Sequence, residues 1–270
     1  MNILKNYNSV AELAATLDGN VINPSKDGDG WCVSLSGKTS LKHFAGVETI
    51  ADARQMLVYG DAEAAAKIRA EGEIVKPKED HKPLLRSAVV GCLPNVPNYL
   101  RGVPAQMYQV KSNSRKRPVV NVYVEATIYD GISEKSLDEK CSVLANAIAA
   151  VELTGYRVNL FAICASSGQH NTAGICVNIK EADSPLNLLN IAFPLTNKAF
   201  CRAIYLRWVD VNVKESLKRG RQCNYGCVVS SSRVKELFNT DGLFFSMHEL
   251  VDNDTTQEEI EDKINRFVAE

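Results

Sequence analysis

No run of apolar residues in this 270-residue chain approaches the ~20 needed to cross a bilayer, so no membrane-spanning helix is expected. The opening stretch, MNILKNYNSVAELAATLDG, lacks the basic-then-apolar pattern of a signal peptide and reads as a short amphipathic helix. No GxxxxGK[ST] or GxGxxG follows any strand-like run, which removes the common backbone cradles for phosphate. No G-x-S-x-G elbow accompanies the serines. Cys223-x3-Cys227 is the only close cysteine pair, and no second Cys/His pair stands at zinc-ligand spacing. The other cysteines (Cys32, Cys92, Cys141, Cys164, Cys176 and Cys201) are scattered, several on apolar faces, as in a reduced, cytosolic protein. The remaining absence is the most telling. From Lys82 to Val124 there is no acidic residue, against Lys82, Arg86, Arg101, Lys111, Arg115, Lys116 and Arg117.

The charge is segregated elsewhere too. Between Lys198 and Lys235 nine basic residues face only Asp210 and Glu215, and from Glu236 onward ten acids face only Lys263 and Arg266. A net charge of −1 therefore conceals basic surfaces suited to a polyanion and an acidic end suited to another partner. The plainer alternative is solvated faces whose charges balance within the fold.

What the chain does contain is a strand–helix–strand signature between Pro118 and Ser167. Val119–Ala126 is a β-branched, apolar run, the composition of a strand buried on both faces. Ser136-Leu137-Asp138-Glu139 has the S-x-x-E form of a capping box. Leu137, Cys141, Leu144, Ile148 and Val151 then recur at steps of four and three, one stripe of a helix that Gly155 stops. Val158–Cys164 is a second apolar strand. The spacing predicts a βαβ unit with a parallel strand pair.

Around that unit the reading is coarser. Helices are expected at Val10–Leu17, from Thr49 to Val58 and at Ala62–Ala70, with a short strand at Trp31–Leu35. KPKEDHKP, residues 76–83, is the best boundary, so 1–80 is expected to form a small mixed module and 81–270 the core domain. LPNVPNYLRGVPAQM, with its three prolines, reads as a fixed irregular loop. Further strands are expected at Leu84–Cys92, Ala173–Ile179, Cys223–Ser230 and Leu243–Met247. Helices are expected at Leu186–Ile191 and Arg233–Phe238, with an acidic amphipathic one from Thr255 to Val268.

No acid/base pair, nucleophilic triad or metal cage can be assembled from these residues, so neither catalysis nor a cofactor is expected. His170 lies near Ser166 and Ser167 in a polar loop, the one conceivable Ser/His pairing. The nucleic-acid reading does better, because single strands are held by basic grooves and by aromatic faces on which bases stack. One stretch interleaves Tyr99, Arg101, Tyr108, Lys111, Arg115, Lys116 and Arg117. A second interleaves Arg202, Tyr205, Arg207, Trp208, Lys218, Arg219, Arg221 and Tyr225, with Trp208 the one most suited to a core. The residues expected to touch nucleic acid are Arg101, Tyr108, Lys111, Arg115, Lys116, Arg117, Lys218, Arg219 and Arg221.

Two resemblances add to this. The strand–turn–helix topology is similar to the von Willebrand factor A domain, whose Asp-x-Ser-x-Ser motif holds a divalent metal; the matching positions here are Glu125, Thr127 and Tyr129. A tyrosine at the third is too bulky for a compact oxygen cage, so no metal is expected and Glu125 reads as an edge-of-sheet residue. Second, VVGCLPNVPNYLRGVPAQM, the basic spacer and RPVVNVYVEATIYDGIS resemble a tailed-bacteriophage family that includes single-stranded-DNA-binding RNA polymerase cofactors of short-tailed lytic phages. That likeness covers the middle half of the chain, through about Cys164. It implies a non-enzymatic binder of single-stranded DNA that recruits a phage RNA polymerase in the cytoplasm of the infected host cell; the charge segregation offers the acidic carboxyl-terminal region as the polymerase contact. The fold expectation is an α/β protein with a Rossmann-like, von Willebrand A-like core. The alternative functions are an interaction module partnering an ATPase and a phage assembly component; self-association stays open.

Overall fold

The βαβ unit forms where the periodicity places it. In a computed structural model, which describes residues 2–17, 41–71, 84–111, 118–128, 131–167, 172–212 and 229–269, its first strand is Val119–Glu125 and its helix Glu134–Leu153. Its second strand, Arg157–Ser167, pairs parallel to the first, Val122 opposite Leu160. All five stripe residues of the helix are buried. Gly155 takes a φ of 105°, the left-handed conformation that ends a helix at glycine's lowest cost. The cap differs from expectation. Ser133, not Ser136, is the N-cap, its Oγ accepting from the Ser136 N–H at 3.1 Å. Both serines stand before the apolar stripe, and the earlier one adds nearly a turn.

The chain divides into two compact units: Met1–Val75 with Val119–Glu270, and Lys76–Pro118. The expected boundary at 76–83 falls at the start of the smaller unit, but 1–80 is not a module of its own, because the amino-terminal segment belongs to the larger unit. Asn2–Tyr7, part of the expected amphipathic helix, is a strand, β1. It is followed by α1 (Val10–Thr16), α2 (Leu41–Ala45), α3 (Ile50–Tyr59) and α4 (Ala62–Glu71). Thr49 and Asp52 close a reciprocal capping box on α3. The expected strand at Trp31–Leu35 lies outside the described residues.

In the smaller unit, β2 (Leu84–Ala88), β3 (Leu93–Pro94), α5 (Val96–Leu100) and β4 (Met107–Lys111) form an antiparallel sheet in the order β2-β4-β3 with one short helix. The proline-rich stretch is thus not wholly irregular. Pro97 falls in the first turn of α5, where a missing N–H costs nothing.

The larger unit resumes with β5 (Val119–Glu125), α6 (Glu134–Leu153), β6 (Arg157–Ser167) and β7 (Thr172–Lys180). Then come α7 (Leu188–Thr196), a π-helical segment Phe200–Tyr205 and α8 (Leu206–Asn212). The last described elements are α9 (Ser231–Phe238), β8 (Leu243–Ser246), α10 (Met247–Asp252) and α11 (Gln257–Ala269). Five strands make one sheet in the order β1-β7-β6-β5-β8, parallel throughout except for the β6–β7 pair. The protein is α/β, with a mostly parallel central sheet.

One face of that sheet carries the main core. Val122, Val124, Leu160, Ala162, Ile175 and Val177 pack there with Leu144 and Ile148 of α6 and Phe193 of α7. The other face holds a smaller cluster, in which Val234 of α9 meets Ile163, Cys176 and Phe244. Trp208 is fully buried and its Nε1–H donates to Tyr7 Oη at 2.5 Å, tying α8 to β1. Among the described residues no helix is long and apolar enough to cross a membrane.

Candidate functional site

Two places concentrate polar or exposed chemistry, and each is described within its own unit. The first is the 76–118 unit. Its sequence is acid-free from Lys82 onward, and its short helix is held from below by asparagines. Asn95 is buried. Its Oδ1 accepts from the Asn98 N–H at 3.2 Å, its Nδ2 donates to Ser87 Oγ at 3.0 Å and its N–H to the Gln106 carbonyl at 2.7 Å. Asn98 Nδ2 donates to the Ala105 carbonyl at 2.9 Å. Those bonds fix α5 against β2 and the 104–106 run, while its outer side chains meet solvent: Val96 is 54%, Tyr99 66% and Leu100 78% exposed.

Of the residues expected to touch nucleic acid, Arg101 is exposed and caps α5 at its carboxyl end, its N–H donating to the Pro97 carbonyl at 3.2 Å. Tyr108 is half-buried on β4, between Ser87 of β2 and Leu93 of β3. Lys111 is the last residue of β4. Arg115, Lys116, Arg117, Lys218, Arg219 and Arg221 lie outside the described residues, as does the expected strand at Cys223–Ser230. Trp208 is the core residue it reads as; the correction to the second basic-aromatic stretch concerns Tyr205 and Arg207. Tyr205 and Trp208 are core residues, stacked with ring centroids 6.2 Å apart, and Arg207 is buried. Arg202 donates to the Phe44 carbonyl at 2.9 Å. Over 200–212 that stretch is helix interior rather than a stacking surface, because its aromatics fall on the side facing the sheet.

The second place is the carboxyl edge of the parallel strands. Glu125 ends β5 between Ile163 of β6 and Ser246 of β8, and is 2% exposed. Ser231 Oγ donates to its Oε2 at 2.9 Å, while its buried Oε1 has no hydrogen-bond partner among the described residues. Burial raises the carboxyl's proton affinity, opposed by hydrogen bonds from Ser231 and Ser246. Thr127 is buried beside it and accepts from the Ala165 N–H at 3.5 Å. Glu125 therefore is an edge-of-sheet residue, though its hydrogen bond reaches a helix far along the chain rather than a local group. Ser166 shares its hydroxyl with Tyr205 Oη at 2.6 Å, and His170 lies outside the described residues. Among the described residues no group of three or more His, Cys, Asp or Glu side chains could hold a metal ion.

Next to this edge a cleft of about 360 Å³ opens at the start of α6, lined by Ile128, Ser133, Leu137, Thr196, Lys198 and Arg202 among others. Its cations are committed within the fold: Lys198 Nζ lies 3.3 Å from Glu134, and Arg202 holds the Phe44 carbonyl. At the acidic end of the chain, α11 buries Ile260 and Ile264 against the core and turns Glu258, Glu259 and Asp262 outward.

These features define an α/β protein with an inserted, acid-poor small unit and a sheet edge marked by one buried carboxyl. The chain belongs to the family described as Domain of unknown function (DUF7192), whose profile matches residues 1–268. No curated protein and no solved structure matches it.

Neither Asn95 nor the exposure of α5 was legible beforehand, since the prolines concealed the helix. The signal was present: Asn95-Val96-Pro97 is a capping residue followed by proline in the first turn.

Proposed function

We propose that the protein binds single-stranded DNA without catalysing a reaction on it, and serves as a cofactor that brings a phage RNA polymerase to melted DNA in the infected host's cytoplasm. The observation that carries the binding part is the separate 76–118 unit, acid-free from Lys82 onward, with exposed Arg101 and exposed apolar side chains on its fixed helix. A polyanion with apolar base faces complements such a surface. The polymerase part is supported by the phage-family resemblance and by the outward carboxylates of α11, which suit a basic partner.

The test is fluorescence anisotropy with labelled single-stranded and duplex DNA of equal length across a salt series. The logarithm of affinity should fall linearly with that of salt, the slope counting phosphates engaged. Reversing Arg115, Lys116 and Arg117 to Glu lowers affinity and flattens the slope. Absence of binding at low salt sinks the reading.

A second reading, a von Willebrand A-like interaction module partnering an ATPase or phage assembly, is favoured by the β5–α6–β6 order, with the buried Glu125 at the metal motif's first position. The donors do not fit a hard dication. One carboxyl with raised proton affinity and neighbouring hydroxyls make no charged oxygen cage. This reading therefore stands on shape alone. A magnesium- or manganese-dependent thermal shift abolished by Thr127→Ala would restore the metal to it.

A further inference from the structure

We propose that Val96, Tyr99 and Leu100 on α5 form a platform for an unpaired base, with the Tyr99 ring as the stacking face. The inference rests on the single-strand reading above and adds to it the place where a base, as distinct from a phosphate, is held.

Positions 96, 99 and 100 are spaced i, i+3 and i+4, so the three side chains share one side of the helical turn. All three are exposed, and a small unit leaves large apolar groups in water at a cost in stability that a ligand explains. The platform is also preorganised. Asn95 and Asn98 bind the backbone of α5 to its surroundings, and the Gly102 and Val103 N–H groups bond back to the Tyr99 and Asn98 carbonyls. Little ordering remains when a ligand arrives.

Charge complementarity decides the occupant. No carboxylate occurs in the sequence between Lys82 and Val124, and exposed Arg101 directly follows the platform. A partner protein's apolar helix could use the ridge, but it gives no reason for a flank with only one sign of charge. A strand of nucleic acid gives that reason, since each stacked base carries its own phosphate. The flanking Val96 and Leu100 suit the sugar and the base edge. Every base has a π-face, so the platform selects single strands over duplexes without selecting sequence.

The experiment compares the full-length protein with its Tyr99→Ala and Tyr99→Phe variants. Their binding to labelled oligothymidylate, to the same oligonucleotide with abasic residues and to a duplex is followed by anisotropy across a salt series. Tyr99→Ala should weaken binding to oligothymidylate about 5- to 100-fold. Its salt slope should stay that of the wild type, because stacking releases no counterions. Tyr99→Phe should retain wild-type affinity. The abasic strand should bind the wild type as weakly as oligothymidylate binds Tyr99→Ala, and be indifferent to that substitution. Tyr99 is exposed, so melting temperatures should coincide; a lowered one in Tyr99→Ala is controlled by the Phe variant and by the abasic strand, which changes no residue.

If the wild type binds single strands steeply with salt but Tyr99→Ala and the abasic strand change nothing, the platform is refuted and the single-strand reading survives. That is also the result if the ridge takes a protein helix. Equal, Tyr99-independent affinity for duplex and single strand refutes the platform as well. If the wild type binds neither nucleic acid, both readings fall.

Discussion

Ser231 Oγ donates a hydrogen bond of 2.9 Å to Glu125 Oε2, joining the first turn of α9 to the end of β5 across 106 positions of sequence. The carboxyl it meets is buried, and burial is the largest influence on its proton affinity. Glu249 adds to the rise, while Ser231, Ser246 and His248 oppose it. The folded protein therefore holds this proton to higher pH than the unfolded chain, whose carboxyl titrates near its ordinary value of 4.5. Glu125's contribution to stability is full below that value and is lost as pH rises through the folded one. Glu125→Gln, which keeps the shape and the acceptor oxygen, should remove this decline. Melting temperatures of both proteins between about pH 4 and 8 should converge at the acid end and separate in favour of the variant toward neutrality. Parallel curves would mean that Glu125 is ionised as easily folded as unfolded.

Trp208 and Tyr7 predict how firmly the amino-terminal strand belongs to the sheet. Tyr7→Phe removes the acceptor of the Trp208 indole N–H, leaving a buried donor unsatisfied, together with the longer 3.4 Å bond between Tyr7 Oη and Thr16 Oγ1. The loss should be about 1–3 kcal/mol in a denaturant titration. If residues 1–80 were an independent module, the transition would instead split into two steps with the β5–β8 sheet unaffected.

Lys180, at the end of β7, is buried. Its Nζ lies 2.6 Å from Glu152 Oε1 and donates to the Val158 carbonyl at 2.9 Å. Lys180→Ala leaves the half-buried Glu152 carboxylate with the Val158 N–H and solvent in place of its cation and should cost about 3 kcal/mol, the low end for a buried pair. Lys180→Ala combined with Glu152→Gln should recover part of that loss, which a chemical-denaturation double-mutant cycle would show. Additive losses would mean that the pair is not coupled.

The thiols sort by burial. Cys92 is exposed, whereas Cys141, Cys164, Cys176 and Cys201 are buried, and burial pushes the Cys141 and Cys176 thiols up to about 12. Only the thiolate alkylates readily. Iodoacetamide labelling with peptide mapping should mark Cys92 in the native protein and the four buried cysteines only after denaturation. Native labelling of Cys164 or Cys201 would reveal an opening of the core.

The β5–α6–β6 unit was legible because two periodicities, apolar runs and a 3.6-residue stripe, are written in the side chains that make the core. Strand direction is not written there, although one clue existed. Only four residues separate Ser167 from Thr172, too few for the crossover a parallel partner needs, so β7 must return antiparallel to β6. The sequence NILKNY shows no alternation because β1 is an edge strand, mostly exposed or half-buried, and only Tyr7 is sealed. For the candidate site, net basicity was visible but orientation was not. Composition placed Tyr99 and Tyr205 in equivalent contexts, yet one stands in solvent and the other lies in the core, since burial follows from packing against β7 and α8 rather than from neighbouring charges.

The partnering of β1 with β7 has a consequence for biogenesis. Asn2 pairs with Thr172, so β1 leaves the ribosome 170 positions ahead of its partner. At about 5–20 residues per second the nascent chain carries that edge unpaired for roughly ten to thirty seconds. Lys5, in the middle of the strand, places a charge on a segment that would otherwise invite association with other chains during the wait. Of the five strands β1 is thus made earliest, yet it joins the sheet only after β5, β6 and β7, ahead of β8 alone.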